Sequence, residues 1–500
     1  MASKPILSRF RHFGQVIEDL TWQRARPDLH TLAAHRAAWP TCVRNSPVAL
    51  RYLDLLGPLA WDRFPERNLD WQPWPVPYRA LVGACLIKLD QQIGSMGRLR
   101  QFLLDNPALI WLLGFPLHLA PGRAPGFVPQ DSLPTARHLT RMLRELPNPA
   151  CQFLLADSVR LLQAALAAHD VSLGDCIAGD TKHILAWVKE NNPKAYVPDR
   201  FDKTKQPKGD PDCRLGCKKR HNTTGSVVEA LTPAGVQPPA KTPAKNPVPA
   251  KTLQIGEFYW GYASGVIATK APGWGEFVLA ELTQPFNQPD VSYFYPLMQQ
   301  TEARLGFRPP FAAFDAAFDA FYVYEYFAPA ADQPPDAPKG FAAVPFSERG
   351  GHRLQFDAQG LPLCRANQSM PLRYTFSDKS HLFEYQAGRY VCPLLYPQKT
   401  DQSCPVQHKN WPKGGCTTTL PLSIGVRLRY QIDRHSEQYK EVYKQRTTIE
   451  RINAQATELG IEHPRLRNGA AIANLNTLIY VLINLRALQR LRQLQANPAR

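Results

Sequence analysis

The chain has 500 residues, 44% hydrophobic and 20% charged, which excludes one ordinary core, a disordered chain and a membrane-embedded bundle, and points to two or three packed units. Lys and Arg number 59 against 42 Asp and Glu, for a net charge of +17 and a pI near 9.4. That surplus favours a polyanionic partner, nucleic acid first, because each neutralised phosphate releases condensed counterions; a merely soluble basic surface is the ordinary alternative. No run of uninterrupted apolar residues is long enough to span a membrane, and the N-terminal segment lacks the apolar core of a secretory signal, so a cytoplasmic, nucleoid-associated protein with no membrane partner is expected.

In chain order, residues 1–150 read as a helical domain, with YRALVGACLIKL (78–89), SMGRLRQFLLDNPALIWLL (95–113) and PTARHLTRMLREL (134–146) set apart by Gly and Pro. The last segment carries Arg137 and Arg141 at helical spacing, which suits a helix lying in or across a DNA groove. A solvated basic face backed by Leu139, Met142, Leu143 and Leu146 fits the same pattern. Residues 170–339 change to strands: VSLGDCIAGDTKHILAW, EFYWGYASGVIAT (257–269), FVLAELT (277–283), then a helix, VSYFYPLMQQTEARLG (291–306), then a strand, FAAFDAAFDA (311–320). Within this part, residues 203–253 form a Pro-, Ala- and Lys-rich stretch that is expected to be a disordered basic loop. Residues 340–430 read as a strand-rich, cysteine-bearing insertion, and 431–500 as returning helices.

Three acids stand out. Asp180 closes the apolar run CIAGD and Asp315 closes FAAFD, where open α/β sheets place chemistry on a rigid scaffold; an Asp that only caps the next turn is the ordinary alternative for either. Glu450 shares one helix face with Tyr443 and Arg446, and an intrahelical Arg446–Glu450 ion pair is its ordinary reading. Brought together, three carboxylates repel one another by several kcal/mol per pair at an effective dielectric of about 20. Mg²⁺ or Mn²⁺ relieves that repulsion, and two such ions suit in-line attack on a phosphodiester.

With these residues the chain resembles the DDE transposases of bacterial insertion sequences, in the group whose third acid lies in a Tyr, two residues, Arg, three residues, Glu signature. Tyr443, Arg446 and Glu450 fit it; Thr457 stands where many members carry Lys. DNPALIWLLGF with PTARHLTRMLREL is similar to the family's N-terminal domain, GDTK and FDAAFD to its first two acid motifs, and NGAAIANLNTLIYVLINLRAL to its closing helix. The resemblance implies an α/β fold with a ribonuclease-H-like mixed sheet, flanking helices, a helical N-terminal DNA-binding domain, an insertion between Asp315 and Glu450, and core-completing C-terminal helices. It also implies catalytic and metal-binding roles for Asp180, Asp315 and Glu450, and DNA contacts from Tyr443 and Arg446. Lys182, two residues past the first acid, is a further candidate for DNA contact, or a solvated lysine beside an acidic site.

The expected function is binding of terminal inverted repeats followed by strand cleavage and transfer into target DNA, by a dimer or larger assembly. A DNA-binding relative that no longer cuts and a stand-alone nuclease are the competing readings. P-loop, HExxH and GxSxG motifs do not occur, which argues against an ATPase, a zinc protease and an α/β hydrolase. Ten cysteines are too sparse for a disulfide scaffold; Cys213 and Cys217 with His221, and the loosely spaced Cys364, Cys392, Cys404 and Cys416, are compatible with reduced thiols or with structural Zn²⁺, although no tight CxxC pair occurs.

Overall fold

The computed structural model describes residues 28–34, 39–68, 76–120, 125–219, 256–328, 340–347, 354–379 and 383–496. Its N-terminal part is helical: α1 (Leu29–Ala34), α2 (Thr41–Arg44), α3 (Pro47–Leu56), α4 (Tyr78–Asp90), α5 (Met96–Asp105), α6 (Pro107–Leu113), α7 (Pro129–Ser132), α8 (Ala136–Glu145) and α9 (Asn148–Ala167). Local chemistry sets the boundaries. Ser46, Ser95 and Thr135 hydroxyls accept from Ala49, Arg98 and His138 N–H groups, opening α3, α5 and α8. Gly114 at φ +88° ends α6, a conformation that glycine adopts without Cβ strain.

A mixed sheet follows, built from β1 (Cys176–Leu185), β2 (Arg214–Lys219), β3 (Gly256–Ala271), β4 (Gly275–Pro285), β5 (Phe311–Ala313) and β6 (Phe341–Ala343). β1, β3 and β4 form an antiparallel group centred on β3, and β5 and β6 continue from β1 in parallel. Helix α10 (Phe294–Leu305) connects β4 to β5, and α11 (Phe321–Tyr326) lies between β5 and β6. A second sheet, β7 (Leu372–Asp378), β8 (Tyr385–Val391) and β9 (Thr417–Pro421), is antiparallel. The chain closes with α12 (Ile424–Gln431), α13 (Glu437–Lys444), α14 (Arg446–Glu458) and α15 (Gly469–Ala496).

Helix α15 joins the parts. It is apolar on all sides, with Leu478 through Ile483 wholly buried, and it packs on α4, α8, α9 and β4. Two of its buried amides find partners in both directions, as most buried polar groups do. Asn474 donates to the Leu143 and Leu146 carbonyls at 2.9 and 2.7 Å, while Asn484 exchanges two hydrogen bonds with the Val278 backbone on β4. One continuous apolar core therefore runs from the N-terminal helices into the sheet. Helices Asn148–Ala167 and Gly469–Gln495 are long and apolar enough to cross a membrane; their apolar windows are 50% and 89% buried within the fold.

The expected order of three strands, a helix and a strand in 170–339 is present, with differences. Residues 203–219, placed in a disordered loop by composition, are folded, and β2 forms there because β3 extends beyond its pairing with β4 and offers Gly256–Gly261 as a partner. The remainder of that loop, with His221, lies outside the described residues. Asp180 is not at a strand end: β1 runs on to Leu185 through pairing with β3. The strand expected at 311–320 stops at Ala313. The insertion has its three strands, but β6 joins the main sheet beside β5, so the separate portion begins after it and ends before α12.

Candidate active site

Asp180 and Asp315 meet because β1 and β5 are neighbours in register, Cys176 with Phe311 and Ala178 with Ala313. Between the two acids the chain must be small. A Cβ at Gly179 would lie 2.4 Å from the Phe314 ring and 2.7 Å from Ile267, so glycine lets Phe314 pack under the strand while Asp315 turns toward Asp180. Asp315 accepts a 2.9 Å hydrogen bond from the Ala317 N–H and opens a 3₁₀ turn. It is thus both a cap and a neighbour of Asp180. The second acid of FDAAFD, Asp319, is fixed elsewhere: Arg429 of α12 donates to it, with the Nε bond at 2.7 Å, as do the Tyr324 hydroxyl and Ser347 N–H.

The electrostatics of the pair follow from burial. Asp180 is pushed up to about 7, first by desolvation and then by the charge of Asp315, with the Thr181 N–H and Arg446 opposing and Asp290 adding. Asp315 is raised as well, mainly by desolvation, with Asp290 again adding and Arg446 opposing. Desolvation and a neighbouring like charge both disfavour the ionised form of a carboxyl group.

Two further residues belong to this site and are not evident in the sequence. The Thr181 hydroxyl donates to Asp290 at 2.8 Å, which places a third aspartate beside the pair. Asn453 on α14 donates from Nδ2 to Asp180 at 3.3 Å, and its own Oδ1 is buried with no hydrogen-bond partner. Asn453 could have been found by extending the Glu450 face by one helical step of three residues; Asp290, after Pro289, reads only as an ordinary turn acid.

The helix-borne residues are arranged differently. The single helix expected through Tyr443, Arg446 and Glu450 is divided at Gln445, where Gln445 N and Thr448 N bond three residues back rather than four. Tyr443 is half-buried and stacks on Tyr439 at 5.9 Å; burial raises its phenol, with Arg446 opposing and Asp315 adding. Arg446 acts on both aspartates and pairs with Glu450 at 2.9 Å, with side chains 27% and 56% exposed. The ordinary intrahelical ion pair is therefore present, and Glu450 lies one turn from Asn453 on the same face. Among the described residues no three Asp, Glu, His or Cys side chains stand as one ligand group. The sheet brings Asp180 and Asp315 together, while Arg446 holds Glu450.

Lys182 is ion-paired to Glu462 at 2.5 Å, so its charge is already engaged. Arg137, Arg141 and Arg144 lie exposed along α8, whose other face buries Leu139, Met142 and Leu143. Arg141 also approaches His138 at 2.9 Å and Glu145 at 3.7 Å. Thr457 is exposed and donates to the Asn453 carbonyl at 2.9 Å. Cys213 is buried and Cys217 exposed. Comparison of the chain with protein-family models, curated proteins and solved structures finds no match.

Proposed function

We propose that this chain is a DNA transposase with a ribonuclease-H-like core, using Asp180, Asp315 and Glu450 for metal-dependent strand cleavage and strand transfer. The observation that carries this reading is the half-buried pair of Asp180 on β1 and Asp315 just past the neighbouring parallel strand β5, faced by Arg446 and Asn453 from α14. The strand arrangement supports the core assignment: an antiparallel group bears the first acid on β1, and parallel strands continue from that same strand.

The residues present fit a hard divalent ion. Asp180, Asp315 and Asp290 lie together and Glu450 is one turn from Asn453, all with the hard oxygen donors such an ion takes, and the buried Asn453 Oδ1 has no hydrogen-bond partner. Asp180, Asp315 and Glu450 would hold Mg²⁺ or Mn²⁺, which supplies activation of a water or 3′-hydroxyl and stabilisation of the leaving oxygen. The chain's own groups perform the rest. Arg446, planar and permanently charged, offers a phosphate two parallel donors once Glu450 leaves it, and Tyr443 offers a phenol that can stack or hydrogen-bond. The exposed arginines of α8 suit double-stranded DNA along the phosphates of an inverted repeat.

The test is a purified full-length chain mixed with Mg²⁺ and a plasmid carrying the sequences that flank its coding region. Nicking followed by joining of the released 3′ ends supports the transposase. Nicking without joining favours the stand-alone nuclease, and sequence-specific binding without nicking favours the inactive relative to which Thr457 draws attention.

A further inference from the structure

The insertion has little core of its own: Met370, Ala387, Val391, Cys392 and Leu394 are its buried apolar residues among those described between Phe346 and Val426. Phe383 and Tyr385 rest one end of its sheet on Phe321 and Tyr322 of the main core, and so small an interior gains most from a cross-link or a bound ion. Its cysteines are placed to supply one. Val391 and Thr417 are the terminal pair of the β8–β9 ladder, and Cys392 and Cys416 are the next residues outward on the two strands. That register sets the two residues side by side at the end of the ladder. Gly415, at φ +84°, crosses over Cys392 so closely that a Cβ there would lie 2.6 Å from the Cys392 Cβ.

Cys364 opens a tight turn, accepting from the Asn367 N–H and donating to the Gln368 carbonyl, both at 2.9 Å. The hairpin around it is tied to β8 through the Val391 N–H to Pro371 carbonyl bond at 3.1 Å, and Cys364 lies near enough to act electrostatically on Cys416. Cys404 sits in the loop between Cys392 and Cys416, where the His408 N–H points at its sulfur at 3.5 Å. A backbone N–H directed at sulfur stabilises a thiolate, as outer-shell donors do around metal ligands.

We propose that Cys364, Cys392, Cys404 and Cys416 form a structural Zn²⁺ site of four thiolates that staples the β7–β9 sheet. Among the described residues no three of these side chains stand as one ligand group, so binding must close the loops that carry them until the sulfurs stand roughly 3.7 Å apart, as bonds of about 2.3 Å in a tetrahedron require. Four thiols lose four protons in the process, so binding weakens as pH falls.

The proposal is independent of DNA cleavage, and its test reads metal. Full-length protein purified under reducing conditions is expected to retain about one zinc per chain by elemental analysis. Titration of the metal-stripped chain with Co²⁺ should give the strong near-ultraviolet charge-transfer absorption of a tetrahedral thiolate site. Cys404→Ser should bind Co²⁺ more weakly by at least the roughly 10- to 100-fold that loss of an outer-shell partner costs, whereas Cys217→Ser on β2 should leave binding unchanged. Absence of both zinc and the Co²⁺ absorption in reduced wild-type protein overturns the proposal. So does full metal content in the Cys392→Ser, Cys416→Ser double variant, or peptide mapping that recovers these two only as a disulfide.

Discussion

Asp180 enters the site from β1 and Asp315 from the turn just past β5, both half-buried, whereas Glu450 lies exposed on a helix and is paired with the half-buried Arg446. On the strand side backbone pairing fixes position, and desolvation raises both carboxyls, with the charge of Asp315 adding at Asp180 and that of Asp290 at both. On the helix side charge is retained, and position depends on a pair that salt screens and that contributes well under about 1 kcal/mol. The pairing of β1 with β5 sets the aspartates, whereas the Arg446–Glu450 pair is held by side chains alone.

Removal of a strand-side acid is expected to have the largest effect. Asp180→Asn and Asp315→Asn should each lower Mg²⁺-dependent nicking by on the order of a thousandfold or more, several kcal/mol of transition-state stabilisation, with DNA binding retained in a gel-shift assay. Near-normal nicking by either variant would contradict the pairing described.

A second prediction concerns stability without metal. Asp180 is raised from its ordinary 3.8 to about 7, so between those pH values the folded chain keeps a proton that the unfolded chain has lost. The stability contributed by this group is full below about pH 4 and is lost as pH rises through 7. In EDTA, Asp180→Asn should therefore stabilise the protein, by an amount that grows from pH 5 to pH 8 and reaches roughly 4 kcal/mol at most. Urea melts at the two pH values measure it; an equal effect at both would show that Asp180 is ionised throughout.

The helix side should respond in the opposite sense. Arg446→Ala is expected to change stability by less than about 0.5 kcal/mol while reducing nicking roughly 10- to 100-fold through lost phosphate contact. A stability loss comparable with that of a core substitution would mean that the Arg446–Glu450 pair is structural. A smaller change is expected on α8, where replacing Arg137, Arg141 and Arg144 with Ala should lower the slope of log K against log salt by up to about 3 and leave the melting curve unchanged. An unaltered slope would place the DNA on another surface.

The legible parts of the fold were those whose burial writes a pattern. CIAGD, FVLAELT and the α10 segment are apolar runs or amphipathic faces that the sheet and its helices require. β2 was not legible, because RLGCKK has a polar edge-strand composition and pairs only through the overhang of β3. Asp180 and Asp315 could be read as strand-associated acids, although not that β1 continues past Asp180 or that Asp315 caps a turn. Asp290 enters the site through tertiary placement alone, which no local spacing encodes, whereas Asn453 continues the Glu450 helix face by one step of three residues. Whether Glu450 faces the aspartates or Arg446 is decided by rotamer and charge and has no sequence signature.

The most direct measurement is Mn²⁺ binding by electron paramagnetic resonance on the full-length chain and on Asp180→Asn, Asp315→Asn and Glu450→Gln. Tight binding by the wild type, lost in either aspartate variant and weakened by Glu450→Gln, is the expected result. Mn²⁺ binding indifferent to all three substitutions, or none in the wild type, would contradict a metal site shared by the strands and the helix.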